Sequence, residues 1–339
     1  MELGAVVMVP SREGLKAIHE DQTLTQVVAN NPKPSYSSRT PILGNDVLQS
    51  WIDRLREVGL QSLWLTPSPR EDSAACFAVP RFAREGVERL LMIKLKSYAE
   101  MDLADLLRFH CERQNPVTEA HDARGQLGVC LLDHRKLHAT GQKYEFSQSS
   151  NDAGRSPYQF RGYAKRILSP VERQELVRDG LTGACAMRPF GTQIREQVWI
   201  GEGAKLADSA RVIGPTYIGA RTIIRAGATI GPFASVEHDC VVDCGTTIER
   251  STVLPWSYLA PGLLIRHELV DGRYVEDLSG GVVADLQPAG LGGRIRRRES
   301  RRQEVSETAI NVYSQADKSL ATDFAPISAA PQPWVEVPL

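Results

Sequence analysis

Residues 200–259 read IGEGAKLADSARVIGPTYIGARTIIRAGATIGPFASVEHDCVVDCGTTIERSTVLPWSYL. An aliphatic residue recurs at every sixth position, from Ile200 to Leu254. The position four residues after each of them is small throughout, except for Tyr258 at the end. Neither an α-helix nor an alternating strand repeats every six residues, whereas a coil of three short parallel strands places one aliphatic side chain per strand inside a triangular prism. The pattern predicts a left-handed parallel β-helix of hexapeptide repeats with a little over three coils.

The N-terminal half of the sequence alternates between short apolar runs and amphipathic segments. The runs typical of buried strands are residues 4–10, Leu60–Thr66, Arg89–Lys94 and Gly128–Asp133. The segments typical of helices are 45–59, with Asn45 or Asp46 as the N-cap and Gly59 as the stop, then Asp102–Gln114 and Pro170–Asp179. This alternation predicts an α/β domain with a mainly parallel sheet covered by helices on both faces.

These patterns divide the chain into three parts. We predict an α/β domain over residues 1–190, in which the polar stretch 139–160 is a loop. The β-helix with its closing segment occupies 191–290 and includes a hairpin around Asp271–Gly272. The remainder, 291–339, is an arginine-rich tail that we predict to be mostly disordered. Its arginine run at 294–302 either binds an acidic partner or is simply solvated.

The amino-acid composition argues against several classes of protein. The 339 residues contain 40 basic and 41 acidic side chains, a balance that does not suit a chain built for nucleic acid or a membrane surface. No apolar run approaches the roughly 20 residues of a membrane span, and the N-terminus lacks the pattern of a secretion signal. The six cysteines are scattered without a paired framework. We therefore expect a reduced, cytoplasmic protein with no transmembrane segment.

Several motifs occur in an order that resembles one enzyme family. They are PKP at 32–34, TPIL at 40–43 leading into a helix, DLADLLRFH at 102–110, RGYAKRILSP at 161–170 and VWIGEGAKL at 198–206. Over roughly residues 4–280 the chain resembles the sugar-nucleotide pyrophosphorylases that carry a C-terminal left-handed β-helix, of the mannose-1-phosphate guanylyltransferase type. The resemblance implies a Rossmann-like nucleotidyltransferase domain, and the activity it implies joins a sugar 1-phosphate to a nucleoside triphosphate and releases pyrophosphate.

The residues that such enzymes need are replaced in this chain. The stretch VPSREGLK at 9–16 matches the family's phosphate-binding glycine loop but keeps only Gly14. Matching the motifs position by position places Lys96 and Arg166 where the family has its two magnesium-binding aspartates. Because a hard divalent cation needs oxygen ligands, the resemblance implies a degenerate active site with no catalytic residue and no metal.

The same replacements predict a different kind of site. Lys33, from the PKP motif, matches a family lysine that approaches a ligand phosphate, although it also fits a surface lysine beside a turn. Together with Lys96 and Arg166 it would give an electropositive pocket that binds a nucleotide, an NDP-sugar or a sugar phosphate without metal. We take Gly14, Lys33, Lys96 and Arg166 as ligand-binding candidates, against the alternative that the cations are solvated surface charges. We expect a sensor, regulator or scaffold in sugar-nucleotide or polysaccharide metabolism, as a homo-oligomer or in complex with an active paralogue.

The sequence leaves two alternative functions open. An active sugar-1-phosphate nucleotidyltransferase would require Mg²⁺ on relocated carboxylates, for which the candidates are Glu100, Asp102, Asp105 and Asp152. A hexapeptide acyltransferase would need His238 as a general base, but no partner motif accompanies it and an exposed structural histidine is favoured. Cys240 occupies a small inward position of the repeat and fits the core better than a metal site with His238 and Cys244.

Overall fold

The computed structural model describes residues 3–8, 40–60, 62–66, 84, 86–136, 155–286, 292–294 and 335–336. The first part of the chain contains three α-helices and eight strands within the described ranges. In chain order these are β1 (Leu3–Met8), α1 (Val47–Glu57), β2 (Ser62–Thr66), β3 (Arg89–Lys94), β4 (Ser97–Ala99), α2 (Leu103–Arg113), β5 (Val117–Asp122), β6 (Gly125–Asp133), β7 (Arg155–Gln159), β8 (Ala164–Arg166) and α3 (Pro170–Thr182).

The helices begin and end at residues whose side chains favour those positions. Asp46 caps α1 by accepting a hydrogen bond from the backbone N–H of Leu48 at 2.9 Å, and the chain leaves that helix through Gly59 at φ +74°. Asp102 caps α2 in the same way. Helix α3 starts at Pro170, as predicted, but continues past Asp179 and ends at Gly183, which adopts the left-handed conformation.

The central sheet has the strand order β26-β2-β1-β3-β6-β5-β7, in which β26 is the short strand Val335–Glu336. Its pairings β1–β2, β1–β3 and β5–β7 are parallel, whereas β3–β6, β5–β6 and β2–β26 are antiparallel. The predicted strands are present, and the sheet is mixed because β5 and β6 form a hairpin. The predicted loop 139–160 is wrong for its last residues, since Arg155–Gln159 forms β7 and pairs with β5. This edge strand is held by backbone hydrogen bonds, and its polar sequence does not show the pattern typical of a strand.

The second part of the chain is a β-solenoid with three faces. One sheet contains β10 (Val198–Ile200), β13 (Thr216–Ile218), β16 (Ala234–Val236), β19 (Thr252–Val253) and β22 (Glu268–Asp271), and β9 (Thr192–Arg195) lies antiparallel on its edge. A second contains β11 (Lys205–Leu206), β14 (Ile223–Ile224), β17 (Val241–Val242) and β20 (Ser257–Leu259). The third contains β12 (Arg211–Val212), β15 (Thr229–Ile230), β18 (Thr247–Glu249) and β21 (Leu264–Arg266).

The six-residue repeat is confirmed, with one correction near its end. Strands stack with an 18-residue offset up to β18, but Val236 pairs with Val253, an offset of 17. One corner residue is therefore missing, and Val253 rather than Leu254 points into the prism core. Leu254 packs outside it against Leu269. The predicted repeat placed Leu254 at an inward position and Tyr258 at the small position four residues later, and both placements were wrong. The error arose because residues 253 and 254 are both aliphatic, so either one fits the pattern.

The solenoid is longer than predicted, with about four coils, because β21 and β22 continue the stack. The predicted hairpin at Asp271–Gly272 is confirmed: β22 pairs antiparallel with β23 (Tyr274–Asp277), which pairs with β24 (Val283–Asp285). Two short pieces of the predicted disordered tail are ordered strands. They are β25 (Gly292–Arg294), which pairs with β20, and β26 (Val335–Glu336), which pairs with β2.

The solenoid and the α/β sheet pack into one compact unit that holds every described residue. The contact is apolar in part, since Tyr217 of β13 is 1% exposed and belongs to the core of the α/β part, with Trp199 packed against it. The boundaries at residues 190 and 290 stay predictions. No helix in the described ranges is both long and apolar enough to cross a membrane.

Candidate functional site

The structure brings Lys96 and Arg166 to adjacent backbone positions. Strands β1 and β3 end together at Met8 and Lys94, and the N–H of Leu95 donates to the carbonyl of Met8 at 2.8 Å. Lys96 follows immediately, and its carbonyl accepts the N–H of Ile167 at 3.0 Å. In the β4–β8 ladder Ser97 lies opposite Arg166. The backbones of the two predicted ligand-binding residues are therefore adjacent, close to the edge of the sheet where β1 and β3 end.

The side chain of Lys96 lies across the backbone of Gly128 in β6. A β-carbon on Gly128 would stand 2.9 Å from Cε of Lys96 and 2.8 Å from the carbonyl oxygen of Lys94. Gly128 also adopts φ +79°, a conformation that a side chain disfavours. The glycine thus leaves the space through which the lysine passes, and the lysine is half-buried there.

Arg166 is held by a carboxylate from the neighbouring hairpin. Its two terminal nitrogens donate to the two carboxylate oxygens of Asp122 at 3.0 and 3.1 Å, and both side chains are largely shielded from solvent. Burial alone would raise the pKa of Asp122, but the hydrogen bonds from Arg166 and from the N–H of Arg124 hold that pKa below its usual value. Asp122 is a contact that the sequence did not indicate, because nothing in the spacing connects it to Arg166.

This donor set does not fit a magnesium ion. Mg²⁺ requires oxygen ligands in octahedral geometry, whereas Lys96 and Arg166 offer nitrogen donors that already carry positive charge. Both oxygens of the nearby Asp122 accept hydrogen bonds from Arg166. Among the described residues no group of three or more His, Cys, Asp and Glu side chains could hold a metal ion.

The carboxylates proposed as relocated metal ligands have structural contacts. Glu100 accepts hydrogen bonds from the Tyr98 hydroxyl at 3.2 Å and from the N–H of Ala186. Asp102 caps helix α2, and Asp105 accepts from the hydroxyl of Tyr158 and from Arg108. The hydrogen bond from Tyr158 keeps the pKa of Asp105 below its usual value. The remaining candidate, Asp152, lies outside the described residues, as do Gly14, Lys33 and the arginines of the run from 295 to 302.

The histidine considered for acyl transfer has a partner after all. Nδ1 of His238 lies 2.8 Å from Oδ2 of Asp239, whose carboxylate also accepts from Arg221. Its ring meets the edge of Trp256, with centroids 5.9 Å apart. Cys240 is fully buried in the solenoid core, as predicted, whereas Cys244 is exposed. His238 is thus tied into a surface ion-pair cluster at a corner of the solenoid.

Sequence reasoning missed a buried carboxylate that joins the two parts of the protein. Glu237 of the solenoid is fully buried and accepts the N–H of Leu43 at 2.8 Å and of Gly44 at 3.0 Å, in the turn before α1. Arg173 of α3, also fully buried, donates to the carbonyls of Thr40 and Pro41 in the same segment. One feature of the sequence could have indicated this contact. The acidic residue Glu237 directly follows Val236, an aliphatic residue that points into the prism.

A cleft of about 1050 Å³ opens beside this junction. Helix α1, the segment 186–194 and the first solenoid coil form its walls, with Arg54, Arg188 and Phe190 among the lining side chains. Arg54 lies over the rings of Trp51 and Tyr98 at 5.4 and 5.6 Å and donates to the carbonyl of Ala99. Neither Lys96 nor Arg166 lines this cleft.

Comparison with known proteins places part of the chain among distant relatives. No family model matches it. It is 32% identical over 102 residues to a UTP–glucose-1-phosphate uridylyltransferase of Synechocystis sp., covering 30% of this chain and 26% of the relative. A glucose-1-phosphate thymidylyltransferase of Streptomyces griseus is 36% identical over 100 residues, covering 30% and 27%. The Bifidobacterium longum bifunctional protein GlmU is 25% identical over 108 residues, covering 29% and 21%.

The match spans only about a quarter of the length of these relatives. It agrees with the sequence resemblance and with a mixed α/β sheet followed by a β-solenoid. The chain's distant homologues are thus sugar-1-phosphate nucleotidyltransferases.

Proposed function

We propose that this protein is a non-catalytic relative of the sugar-1-phosphate nucleotidyltransferases, and that its α/β part binds a nucleotide, an NDP-sugar or a sugar phosphate without a divalent metal. The observation that carries the proposal is that the backbones of Lys96 and Arg166 lie side by side close to where β1 and β3 end. A bound ligand then acts as a signal, and the protein serves as a sensor, regulator or scaffold in cytoplasmic sugar-nucleotide or polysaccharide metabolism.

The two cations have different roles in this proposal. Arg166 is neutralised by Asp122, so the pair contributes little net charge and mainly fixes the hairpin beside the site. Lys96 contributes an ammonium group, a compact donor that suits phosphate oxygens. Gly128 leaves the space that the side chain of Lys96 occupies.

Replacing Lys96 with aspartate is expected to weaken ligand binding in EDTA by at least a factor of about 10, because an attractive charge becomes repulsive at the phosphate. Calorimetric titration with a panel of NDP-sugars, nucleoside triphosphates and sugar phosphates measures this change. Lys205→Asp is the matched control, because Lys205 is an exposed lysine on the solenoid and its replacement should leave the affinity unchanged. Equal affinities of wild type and Lys96→Asp would refute the assignment of Lys96.

The rival reading, an active nucleotidyltransferase with relocated ligands, is favoured by the relatives, whose names denote uridylyl and thymidylyl transfer. Against it stand the engaged carboxylates of Glu100, Asp102 and Asp105. Magnesium-dependent release of pyrophosphate from a nucleoside triphosphate and a sugar 1-phosphate separates the two readings. The non-catalytic proposal expects none above the rate without protein.

A further inference from the structure

Strand β9 has one unpaired edge. It is the last strand in the order β24-β23-β22-β19-β16-β13-β10-β9, and it pairs antiparallel with β10 on one side. In the part of the chain that the structure describes, no strand pairs with its other side, and all four of its residues are exposed. Alternate residues of a strand direct their backbone groups to opposite sides, so part of the β9 backbone can accept a further strand.

The same segment forms an apolar wall of the 1050 Å³ cleft. Phe190, Thr192 and Ile194 occupy alternate positions and all three line the cleft, as expected for one face of an extended segment. Phe190 is 67% and Ile194 is 49% exposed. A strand added to β9 would cover these apolar side chains, because residues opposite each other in a ladder bring their side chains together.

The helical wall of the cleft is acidic. Asp46, Asp53 and Glu57 line it from one face of α1, and Glu202 lines it from the first solenoid coil. Asp46 caps α1, and Asp53 accepts from the side chain of Gln49 at 2.8 Å. Glu57 and Glu202 form no side-chain hydrogen bond or ion pair with any other residue that the structure describes.

The two arginines of the cleft are directed at backbone carbonyls. Arg54 donates to the carbonyl of Ala99, and Arg188 donates to that of Cys185 at 2.9 Å. Four carboxylates and two guanidinium groups leave the cleft with an excess of negative charge. Such a surface attracts a cationic partner and repels an anionic one, such as a nucleotide or a sugar phosphate.

We propose that the free edge of β9 binds an extended basic peptide of a partner protein by strand addition. The backbone of the peptide pairs with β9, and its apolar side chains cover Phe190 and Ile194. Its arginine or lysine side chains extend from the same face to the carboxylates of α1 and of Glu202. This inference is independent of the ligand proposed for Lys96, because neither Lys96 nor Arg166 lines the cleft.

Three labelled peptides, titrated with the full chain and followed by fluorescence anisotropy, test the proposal. The probe RTVTRTVT places arginine and valine on one face of a strand, and it should bind saturably. Its counterpart ETVTETVT keeps the strand-forming residues and reverses the charge, so its affinity should be at least about 10-fold lower. RTVTRTVT with N-methylated backbone amides keeps the charge but cannot donate to β9, and it should also bind at least about 10-fold more weakly.

Two pairs of variants place the peptide in the cleft. Asp53→Lys with Glu57→Lys should lower the affinity for RTVTRTVT at least about 10-fold. The matched control, Glu112→Lys with Asp208→Lys, makes the same change of net charge at exposed residues outside the cleft and should leave the affinity unchanged. Ile194→Thr should lower it about threefold, whereas Leu264→Thr, at an exposed strand position elsewhere on the solenoid, should not.

Three results would overturn the proposal. They are the absence of saturable binding of RTVTRTVT to the wild type, equal binding of the N-methylated peptide, and equal losses of affinity in the cleft variants and their controls. Sedimentation velocity examines the other occupant of such an edge. If RTVTRTVT converted a dimer into single chains, a second copy of the chain would occupy β9 and the proposal would be wrong.

Discussion

Replacing Glu237 with alanine is expected to lower the free energy of unfolding by about 3–5 kcal/mol, the range for removing one member of a buried charged network. The carboxylate accepts two backbone N–H groups from the turn at Leu43 and Gly44 and the hydroxyl of Ser235. Burial raises the pKa of Glu237, while the charge of Arg173 and these three donors oppose that rise. Without the side chain, the two N–H groups lose their acceptor, and Arg173 loses a nearby negative charge, in a buried site.

The matched control uses a second contact across the same junction. Gln174 of α3 donates to the carbonyl of Phe233 at 3.1 Å and accepts from the hydroxyl of Thr252 at 2.6 Å. Both are neutral hydrogen bonds, so Gln174→Ala should cost only about 1–2 kcal/mol. Urea unfolding at neutral pH measures both variants. A loss for Glu237→Ala no larger than that for Gln174→Ala would show that the buried carboxylate does not join the solenoid to the α/β part.

Lowering the pH from 7 to 4 is expected to remove about 3 kcal/mol of stability through His110 alone. This histidine of α2 is 1% exposed, and its Nδ1 lies 2.8 Å from the hydroxyl of Thr118. Burial, helped by the charge of Arg89, lowers its pKa from 6.5 to about 4. Between these values the unfolded chain holds a proton that the folded protein excludes, so stability rises with pH across that window.

Comparison with His110→Gln isolates this contribution, because other groups titrate in the same range. Glu237 acts in the opposite sense: its folded pKa is raised, so its contribution falls as pH rises above the unfolded value of 4.5. Urea unfolding at pH 7 and pH 4 gives the change for each protein. The wild type should lose about 3 kcal/mol more than the variant. An equal loss in both would mean that His110 is protonated in the fold without penalty.

The solenoid could be predicted from sequence because aliphatic and small side chains recur at fixed positions of each six-residue repeat. What the pattern could not reveal was the missing corner residue between Ile248 and Val253, since Leu254 is equally aliphatic and only the ladder register separates the two. Strand β7 was missed for a related reason. Its polar residues carry no hydrophobic alternation, and its pairing with β5 rests on backbone hydrogen bonds.

The candidate site was predictable only in part. Motif order indicated that Lys96 and Arg166 belong together. The ladder of β4 and β8 brings their backbones close, but their role in ligand binding stays a prediction. The ion pair of Arg166 with Asp122, and the junction built on Glu237, link residues far apart in sequence. Contacts of that kind depend on how sheets and coils pack against each other. The spacing of residues along the chain does not reveal that packing. Gly14 and Lys33 lie outside the described residues and stay predictions.

We propose that phosphate recognition by this protein needs no metal. The most direct measurement is calorimetric titration of the wild-type protein with an NDP-sugar and a sugar phosphate, first in EDTA and then in Mg²⁺. We predict binding in EDTA with an affinity that Mg²⁺ changes by less than a factor of about 3, since no cluster of acidic side chains among the described residues could hold the ion. Binding that appears only with Mg²⁺, accompanied by release of pyrophosphate from a nucleoside triphosphate, would contradict this account and establish an active transferase.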